Sequence, residues 1–205
     1  MTIPINLAVE DMLSELVARR ILEFTGRGYA IGYVYGRGGY GYLRKTINGW
    51  NNAAKSVPFL VLTDLDNAEC PPSLISAWLN RPCHANLLFR VAVREVEAWL
   101  LADSQNLSHF LHASGAVIVE APEMLRDPKG ALLGIARQSR SAEIRRRVLP
   151  KARSTAKQGP DYNGFLGDFV QNYWDVEVAR TRSQSLAGTL ERLMAFTPSW
   201  IQPQT

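Results

Sequence analysis

Cysteine is scarce in this sequence, and long hydrophobic runs are missing. The 2 cysteines, Cys70 and Cys83, are too few for a disulfide framework and lack the pair spacing of a metal site. No apolar stretch approaches the ~18 residues of a membrane span, and the N-terminal segment turns acidic at Glu10 before the core of a signal peptide could form. We therefore expect a cytoplasmic protein with reduced thiols and no membrane association.

Internal repeats and low-complexity tracts are also absent. The chain has 205 residues, of which 46% are hydrophobic and 20% charged. This composition excludes the disordered and mini-protein classes, because a chain of this length buries a core without disulfides or a structural metal. The net charge of +4 favours an anionic partner only weakly. Positive charge is concentrated between Arg126 and Lys157, where Asp127 and Glu143 are the only acidic residues.

Hydrophobic periodicity predicts strands that alternate with helices in the first half of the chain. The predicted strands are Ile3 to Val9, Tyr29 to Tyr35, Val57 to Thr63 and Asn86 to Val93. The helices predicted between and after them are Asp11 to Phe24, Tyr40 to Ala54, Pro71 to Leu79 and Glu95 to Asp103. Such alternation is typical of a parallel α/β sheet.

The second half is predicted to be mainly helical. Its one strand candidate is Ala116 to Val119, and its predicted helices are Lys129 to Gln138, Ala142 to Leu149, Phe165 to Tyr173 and Ser185 to Phe196. We therefore predict a three-layer α/β core over residues 1–104 and a basic, helical C-terminal portion over residues 105–205 that packs on this core.

Acidic residues follow three of the predicted strands. Glu10 and Asp11 follow the first strand, Asp64 and Asp66 the third, and Glu95 and Glu97 the fourth. Because the carboxyl ends of parallel strands meet at one edge of a sheet, several carboxylates are expected there. Their mutual repulsion is relieved by a divalent cation, and hard oxygen ligands select Mg²⁺ or Mn²⁺. A metal with open positions binds phosphate oxygens and activates water, which is phosphodiester chemistry.

Each of these carboxylates also has a purely structural interpretation. An Asp-x-Asp after a strand often forms a turn or caps a helix. Glu10 or Asp11 can interact with the positive N-terminus of the next helix, and Glu97 can be a solvated residue in a first helical turn. Glu10, Asp64 and Asp66 are the firmest metal candidates, and the choice between Glu95 and Glu97 stays open.

Four motifs resemble a known family. They are VED at Val9 to Asp11, VLTDLD at Val61 to Asp66, REVEAWLLAD at Arg94 to Asp103, and SRSAEIRRRVLP followed by Lys157. The first two resemble the topoisomerase-primase (Toprim) fold over roughly residues 3 to 104. Together the four resemble the uncharacterised bacterial Toprim-like proteins grouped as domain of unknown function 4276.

The resemblance implies a relative of the overcoming-lysogenization-defect (OLD) type nucleases, which often act beside an ATPase in defence against phage. It implies that Glu10, Asp64 and Asp66 match the metal-binding acids, that Glu97 matches a later family glutamate, and that Lys157 contacts phosphate. The chain departs from the pattern in two places: Asp11 stands where Toprim proteins usually have glycine, and the second glutamate of that motif comes one residue late, at Glu15.

Basic residues provide candidate contacts to a nucleic-acid backbone. Arg37, Arg44 and Lys45 lie in or after a glycine-rich loop, Gly36 to Gly41, which is either a flexible turn or a phosphate contact. Arg140, Arg147 and Lys157 are candidates for a cleft edge, against the alternative of a merely solvated basic helix.

These observations favour a metal-dependent hydrolase of DNA or RNA phosphodiesters. Glu10, Asp64 and Asp66 would hold Mg²⁺ or Mn²⁺, Glu97 would bind a second metal or take a proton, and Lys157 would neutralise the phosphate. The alternative is a non-catalytic Toprim-like module that binds nucleic acid or a partner ATPase. Metal-dependent phosphoryl transfer on a small nucleotide is a third hypothesis. The sequence leaves the oligomeric state open.

Overall fold

A computed structural model describes residues 2–36, 38–113 and 119–200. They divide into two compact units, the first formed by the described residues up to 93 and from 185 onward, and the second by the described residues between 94 and 184. The predicted boundary after residue 104 differs from this division. The last helix, α10 (Gln184–Ala195), groups with the sheet because Ser185 Oγ accepts a hydrogen bond from the Val93 amide and Thr189 Oγ1 accepts one from Arg90 Nε.

The first unit is an α/β fold with a four-stranded parallel sheet. Its strands are β1 (Ile3–Val9), β2 (Tyr29–Tyr35), β3 (Phe59–Asp64) and β4 (Leu87–Ala92), and their order is β2-β1-β3-β4. The helices that connect them are α1 (Met12–Phe24), α2 (Gly39–Ala53) and α3 (Pro71–Trp78). The predicted α/β class is confirmed, and the element bounds differ from the prediction by only a few residues.

Both faces of the sheet are covered, which makes the unit three-layered and Rossmann-like. On one face, residues of α2 and α3 such as Ile47 and Trp78 pack with Val61 and Phe89 of the strands. Strand residues of the opposite parity, such as Leu60, are equally buried, and α1 packs against β1 and β3. The continuous apolar run of β3 is therefore explained, because its side chains enter a core on either face.

The second unit is helical in its described part. Its α-helices are α4 (Val96–Ala102), α5 (Ser104–Phe110), α6 (Pro128–Arg137), α7 (Ala142–Val148), α8 (Tyr162–Asn172) and α9 (Val176–Arg180), with a 3-10 turn at Pro122–Met124. Helices α5 and α9 were not predicted, because each is too short to show a clear apolar period. Most of the predicted strand Ala116 to Val119 lies outside the described residues.

No helix in the described ranges is both long and apolar enough to cross a membrane.

Candidate functional site

Glu10 and Asp64 meet at the edge of the sheet where β1 and β3 end. The chain leaves β1 toward β2 on one side and returns through α2 to β3 on the other, so the strand order reverses between β1 and β3. At such a reversal the connecting loops diverge and leave a crevice, which is where open α/β sheets bind ligands. The predicted convergence of these two strand ends is therefore present in the fold.

The Glu10 carboxylate is held in place by the end of β3. Its Oε1 accepts a hydrogen bond from the Asp64 amide at 3.0 Å and another from the Thr63 hydroxyl. Thr63 is buried, whereas Asp64 is half-buried and Asp66 exposed. Glu10 thus has a fixed orientation at the site, and Asp64 approaches it through its backbone.

Burial raises the pKa of Glu10. The hydrogen bonds from Thr63 and Asp64 lower that pKa again, while the negative charges of Asp66 and Asp11 raise it. Asp66 is therefore close enough to Glu10 for an electrostatic effect. This local excess of negative charge is the condition that a bound cation would relieve.

The structure stops short of a complete metal-ligand set. Among the described residues, no group of three or more His, Cys, Asp or Glu side chains is placed to hold a metal ion. The donor chemistry of Glu10, Asp64 and Asp66 fits Mg²⁺ or Mn²⁺, because all three offer carboxylate oxygens at one sheet edge. Their side chains would have to turn toward a common point to ligate the same ion.

Asp11 has a structural role in this crevice. It is the N-cap residue of α1, and its Oδ1 accepts a hydrogen bond from the Ser14 amide at 2.8 Å. The side chain therefore satisfies a free N–H of the first helical turn, as capping aspartates do. Asp11 thus interacts with the N-terminus of the next helix, which is the structural alternative that the sequence left open for it.

The glycine-rich loop lies beside Glu10. Gly39 adopts a positive φ of 68°, and its amide donates a hydrogen bond to the Glu10 carbonyl oxygen at 3.1 Å. A Cβ atom at Gly36 would lie 3.0 Å from Val9 Cγ2. Glycine thus lets this loop approach the end of β1 closely. Arg44 and Lys45 follow on α2 with exposed side chains, and Arg37 lies outside the described residues.

Glu97 lies in the second unit, where it is 4% exposed. Its Oε1 accepts a hydrogen bond from the Tyr162 hydroxyl at 3.0 Å and lies 3.6 Å from Lys129 Nζ. Burial raises the pKa of Glu97, and the positive charge of Lys129 lowers it in part. Glu95 accepts a hydrogen bond from the Lys129 amide at 2.9 Å. Glu95 and Glu97 therefore both engage Lys129, one through its backbone and the other through its side chain.

The predicted basic contacts differ in their surroundings. Lys157 and Arg140 are exposed. Arg147 pairs with Asp161 at 2.7 Å, and its guanidinium carbon stands 4.8 Å from the centroid of the Phe165 ring. Part of the Arg147 charge is thus used within the second unit.

Three contact partners in these clusters were not predicted from the sequence: Thr63 at Glu10, and Lys129 and Tyr162 at Glu97. The sequence carried one signal for Thr63, which is the only hydroxyl in an otherwise apolar strand and directly precedes the Asp-Leu-Asp motif. No local signal marked Lys129 and Tyr162, because both reach Glu97 from elements distant in sequence.

A scan against models of known families finds no match to this chain, and neither a search of curated proteins nor a search of solved structures finds one.

Proposed function

We propose that this protein is a metal-dependent phosphodiester hydrolase that acts on DNA or RNA. The observation that supports this proposal best is the meeting of Glu10 and the Asp64 strand end at the reversal of strand order, with Asp66 within electrostatic reach. An ordinary turn carboxylate needs no such arrangement, whereas a cation site at a crevice uses several carboxylates together.

The chain's own residues have distinct proposed roles. Glu10, Asp64 and Asp66 would hold Mg²⁺ or Mn²⁺. When bound there, the cation would polarise the scissile phosphate and lower the pKa of the attacking water. Thr63 and the Asp64 amide orient Glu10, and their hydrogen bonds lower its pKa against the rise that burial causes. Exposed cations, among them Arg44, Lys45, Arg140 and Lys157, would neutralise the phosphate backbone.

Glu97 is proposed to act in proton transfer or in binding a second metal. Its burial favours the protonated carboxyl, and a proton donor or acceptor works best when its pKa lies near the working pH. Burial shifts the pKa of Glu97 upward, which is the direction that a proton donor needs. A partner ATPase, a part in phage defence and a cytoplasmic location are proposed on the family resemblance and the composition alone.

The decisive experiment compares nucleic-acid cleavage by three variants. Purified protein is incubated with plasmid, single-stranded DNA and RNA, with Mg²⁺, with Mn²⁺ or with a chelator. We expect cleavage only with metal, and a loss of at least about 100-fold in Asp64→Asn and Asp66→Asn, since each removes a proposed ligand. Glu69→Gln is the matched control, because it removes an exposed carboxylate of the same loop region and leaves Glu10, Asp64 and Asp66 intact.

Two results would contradict this proposal. One is cleavage that persists in the chelator or in Asp64→Asn at the wild-type rate. The other is a folded wild-type protein that cleaves none of the substrates with either metal.

A non-catalytic module is the second candidate, and one observation favours it. Glu10 Oε1 is already occupied by the Thr63 hydroxyl and the Asp64 amide, an arrangement that also suits a carboxylate with a purely structural role. Nucleic-acid binding that is indifferent to metal and to Asp64→Asn, with no cleavage, would support this candidate.

A further inference from the structure

A cavity with mostly polar lining residues lies at the other edge of the sheet, where β3 and β4 begin. It has a volume of about 290 Å³ and is formed by the last turns of α2 and by the loop between α3 and β4. The lining residues on which the argument rests are Asn48, Asn51, Asn52, Lys55, Arg81 and His84. Because Glu10 follows the end of β1 and Asp64 ends β3, both stand at the opposite edge of the parallel sheet, and the cavity is separate from the candidate metal site.

The wall of this cavity is fixed by two asparagine side chains. Asn48 donates to the Trp78 carbonyl oxygen at 2.9 Å and accepts from the Asn80 amide at 3.0 Å. Asn51 donates to the Pro82 carbonyl oxygen at 3.0 Å and accepts from the His84 amide at 2.8 Å. The side-chain amides of Asn48 and Asn51 thereby hold the loop between α3 and β4 against α2. A cavity whose wall is held in this way loses little conformational freedom when a ligand binds.

The charge of the cavity is positive and uncompensated. Its lining contains Lys55 and Arg81 and no acidic residue. The two chain segments that build it, residues 24–63 and 70–94, contain no Asp or Glu at all. No ion pair joins Lys55 or Arg81 to an acid among the described residues, and both side chains are exposed. Uncompensated cations in a preformed hollow favour an anionic ligand.

His84 adds a hydrogen-bond donor, the N–H of its Nε2 atom. Its Nδ1 accepts a hydrogen bond from the Asn86 amide at 3.2 Å, so the neutral ring carries its proton on Nε2. Arg81 offers a planar fork of N–H donors, Lys55 an ammonium and Asn52 an exposed amide group. This set matches the several oxygens and double charge of a phosphate monoester better than the single charge of a carboxylate.

We propose that this cavity binds a phosphate monoester of mononucleotide size. Lys55, Arg81 and His84 hold the phosphate oxygens, and Asn52 provides a donor and an acceptor for the polar edge of a base. The volume is close to the lower limit, ~300 Å³, of ordinary small-molecule pockets, which suits one nucleotide. The same chemistry is offered by a free mononucleotide and by the 5′-phosphate at the end of a nucleic-acid strand.

Isothermal titration calorimetry on the full chain tests this site. The probes are AMP, adenosine, inorganic phosphate, and one oligonucleotide with and without a 5′-phosphate. We expect AMP to bind saturably and at least about tenfold more tightly than adenosine, since charge-assisted hydrogen bonds are the stronger ones. Raising the ionic strength from about 0.05 M to about 0.3 M weakens AMP binding, because the cations are exposed. An oligonucleotide that binds more tightly than AMP, and only with its 5′-phosphate, identifies a strand end as the source of the phosphate.

Two substitutions and one control locate the binding. Lys55→Ala and Arg81→Ala each weaken AMP binding by about tenfold, because each removes one charged contact. Arg146→Ala leaves binding unchanged, although it removes the same charge from an exposed position in the second unit. Circular dichroism and melting curves establish that the variants are folded, as expected for exposed side chains.

The proposal is overturned if AMP binds no more tightly than adenosine. It is equally overturned if the double variant Lys55→Ala/Arg81→Ala retains the wild-type affinity for AMP, or if Arg146→Ala loses as much affinity. Asp64→Asn separates this proposal from the hydrolase proposal, because that variant is expected to bind AMP normally while it fails to cleave nucleic acid.

Discussion

The carboxylate of Glu10 and the backbone amide of Asp64 are joined by a hydrogen bond of 3.0 Å between Oε1 and N. This bond links the ends of two adjacent parallel strands. The same oxygen accepts the Thr63 hydroxyl as well, and both hydrogen bonds lower the pKa of the half-buried Glu10 against the rise that burial causes. The ionised form of Glu10 is therefore stabilised by β3, and any change at Thr63 must appear in the titration of Glu10.

Thr63→Val tests this dependence with little change of side-chain shape. The substitution removes a hydrogen bond that lowers the pKa of Glu10, so that pKa should rise further. We expect a loss of about 1–2 kcal/mol in the free energy of unfolding at neutral pH, because a charged acceptor loses one of its donors. Carbon-13 NMR of the Glu10 carboxyl measures the titration. Thr46→Val is the control, since the Thr46 hydroxyl donates to the Tyr42 carbonyl oxygen within α2, away from Glu10. An unchanged Glu10 titration would disprove this dependence.

Asp11 offers a second test, because the Toprim pattern usually has glycine at its position. Loss of the Asp11 cap in Asp11→Ala should cost about 1 kcal/mol, whereas Asp11→Gly should cost only a few tenths, since glycine is a better N-cap than alanine. Urea denaturation measures the difference. If Asp11→Gly instead abolished divalent-cation binding as Asp64→Asn is expected to do, Asp11 would have to be a ligand and not only a cap.

The strands of the sheet could be predicted because their apolar runs are long and are separated by clear helical periods. The proximity of Glu10 and Asp64 then followed from a general property of parallel sheets. The local geometry of β2 could not be predicted. Asn6 is 6% exposed, and its Oδ1 accepts the Tyr33 amide at 2.9 Å where the register between β1 and β2 shifts. A Cβ at Gly32 would lie 2.7 Å from that oxygen, so a larger residue there would displace the Asn6 side chain from its hydrogen bond to Tyr33.

The contacts that Glu95 and Glu97 make could not be predicted either. Both follow β4 in sequence and were predicted to lie with the other carboxylates at the sheet edge, with the choice between them left open. In the structure both glutamates contact Lys129 at the start of α6. No sequence pattern near the REVEAW motif predicts this contact. Long-range pairing of this kind depends on how helices pack, and helix packing leaves only a weak trace in a single sequence. The role of Glu97 in catalysis stays a prediction.

Glu97→Gln should change the pH dependence of stability in a defined direction. Burial raises the pKa of Glu97 above its ordinary value of 4.5, so the folded state favours the protonated carboxyl. Protonation of Glu97 therefore stabilises the folded state. This stabilisation is complete below the unfolded-state pKa and is lost as the pH rises through the higher folded-state pKa. Glutamine mimics the protonated form, so wild type should lose stability relative to Glu97→Gln from about pH 4 upward.

Urea unfolding at a series of pH values measures this difference. Lys129→Met leaves Glu97 in place but removes the positive charge that lowers its pKa. The loss of stability with rising pH should therefore extend to higher pH in this variant than in wild type. Glu69→Gln, at an exposed position, serves as the control. Parallel pH profiles for wild type and Glu97→Gln would contradict the buried, proton-favouring environment.

Two glycines of the second unit form a matched pair with opposite expectations. A Cβ atom at Gly159 would lie 2.5 Å from the Val148 carbonyl carbon, which is backbone and cannot move aside. Gly159→Ala should therefore cost about 1–3 kcal/mol. Gly134 lies inside α6 with open space around its Cβ position, so Gly134→Ala should stabilise by about 0.5–1 kcal/mol. Melting temperatures that moved in the same direction for both variants would contradict this assignment.

The basic side chains of the second unit should separate into two kinds when each is replaced by alanine. Arg147 pairs with Asp161 and stacks on Phe165, so Arg147→Ala should lower the free energy of unfolding by about 1 kcal/mol, a modest value because the ion pair is partly exposed.

Lys157 and Arg140 are exposed, so Lys157→Ala and Arg140→Ala should leave stability unchanged. If these residues contact phosphates as proposed, each substitution should weaken nucleic-acid binding uniformly across sequences and reduce its salt dependence by about one released counterion. Fluorescence anisotropy with a labelled oligonucleotide at several salt concentrations measures that slope. Arg180→Ala is the control, because it removes an arginine that pairs with Glu177 on α9. A slope that stays at the wild-type value in Lys157→Ala would remove this lysine from the proposed phosphate contacts.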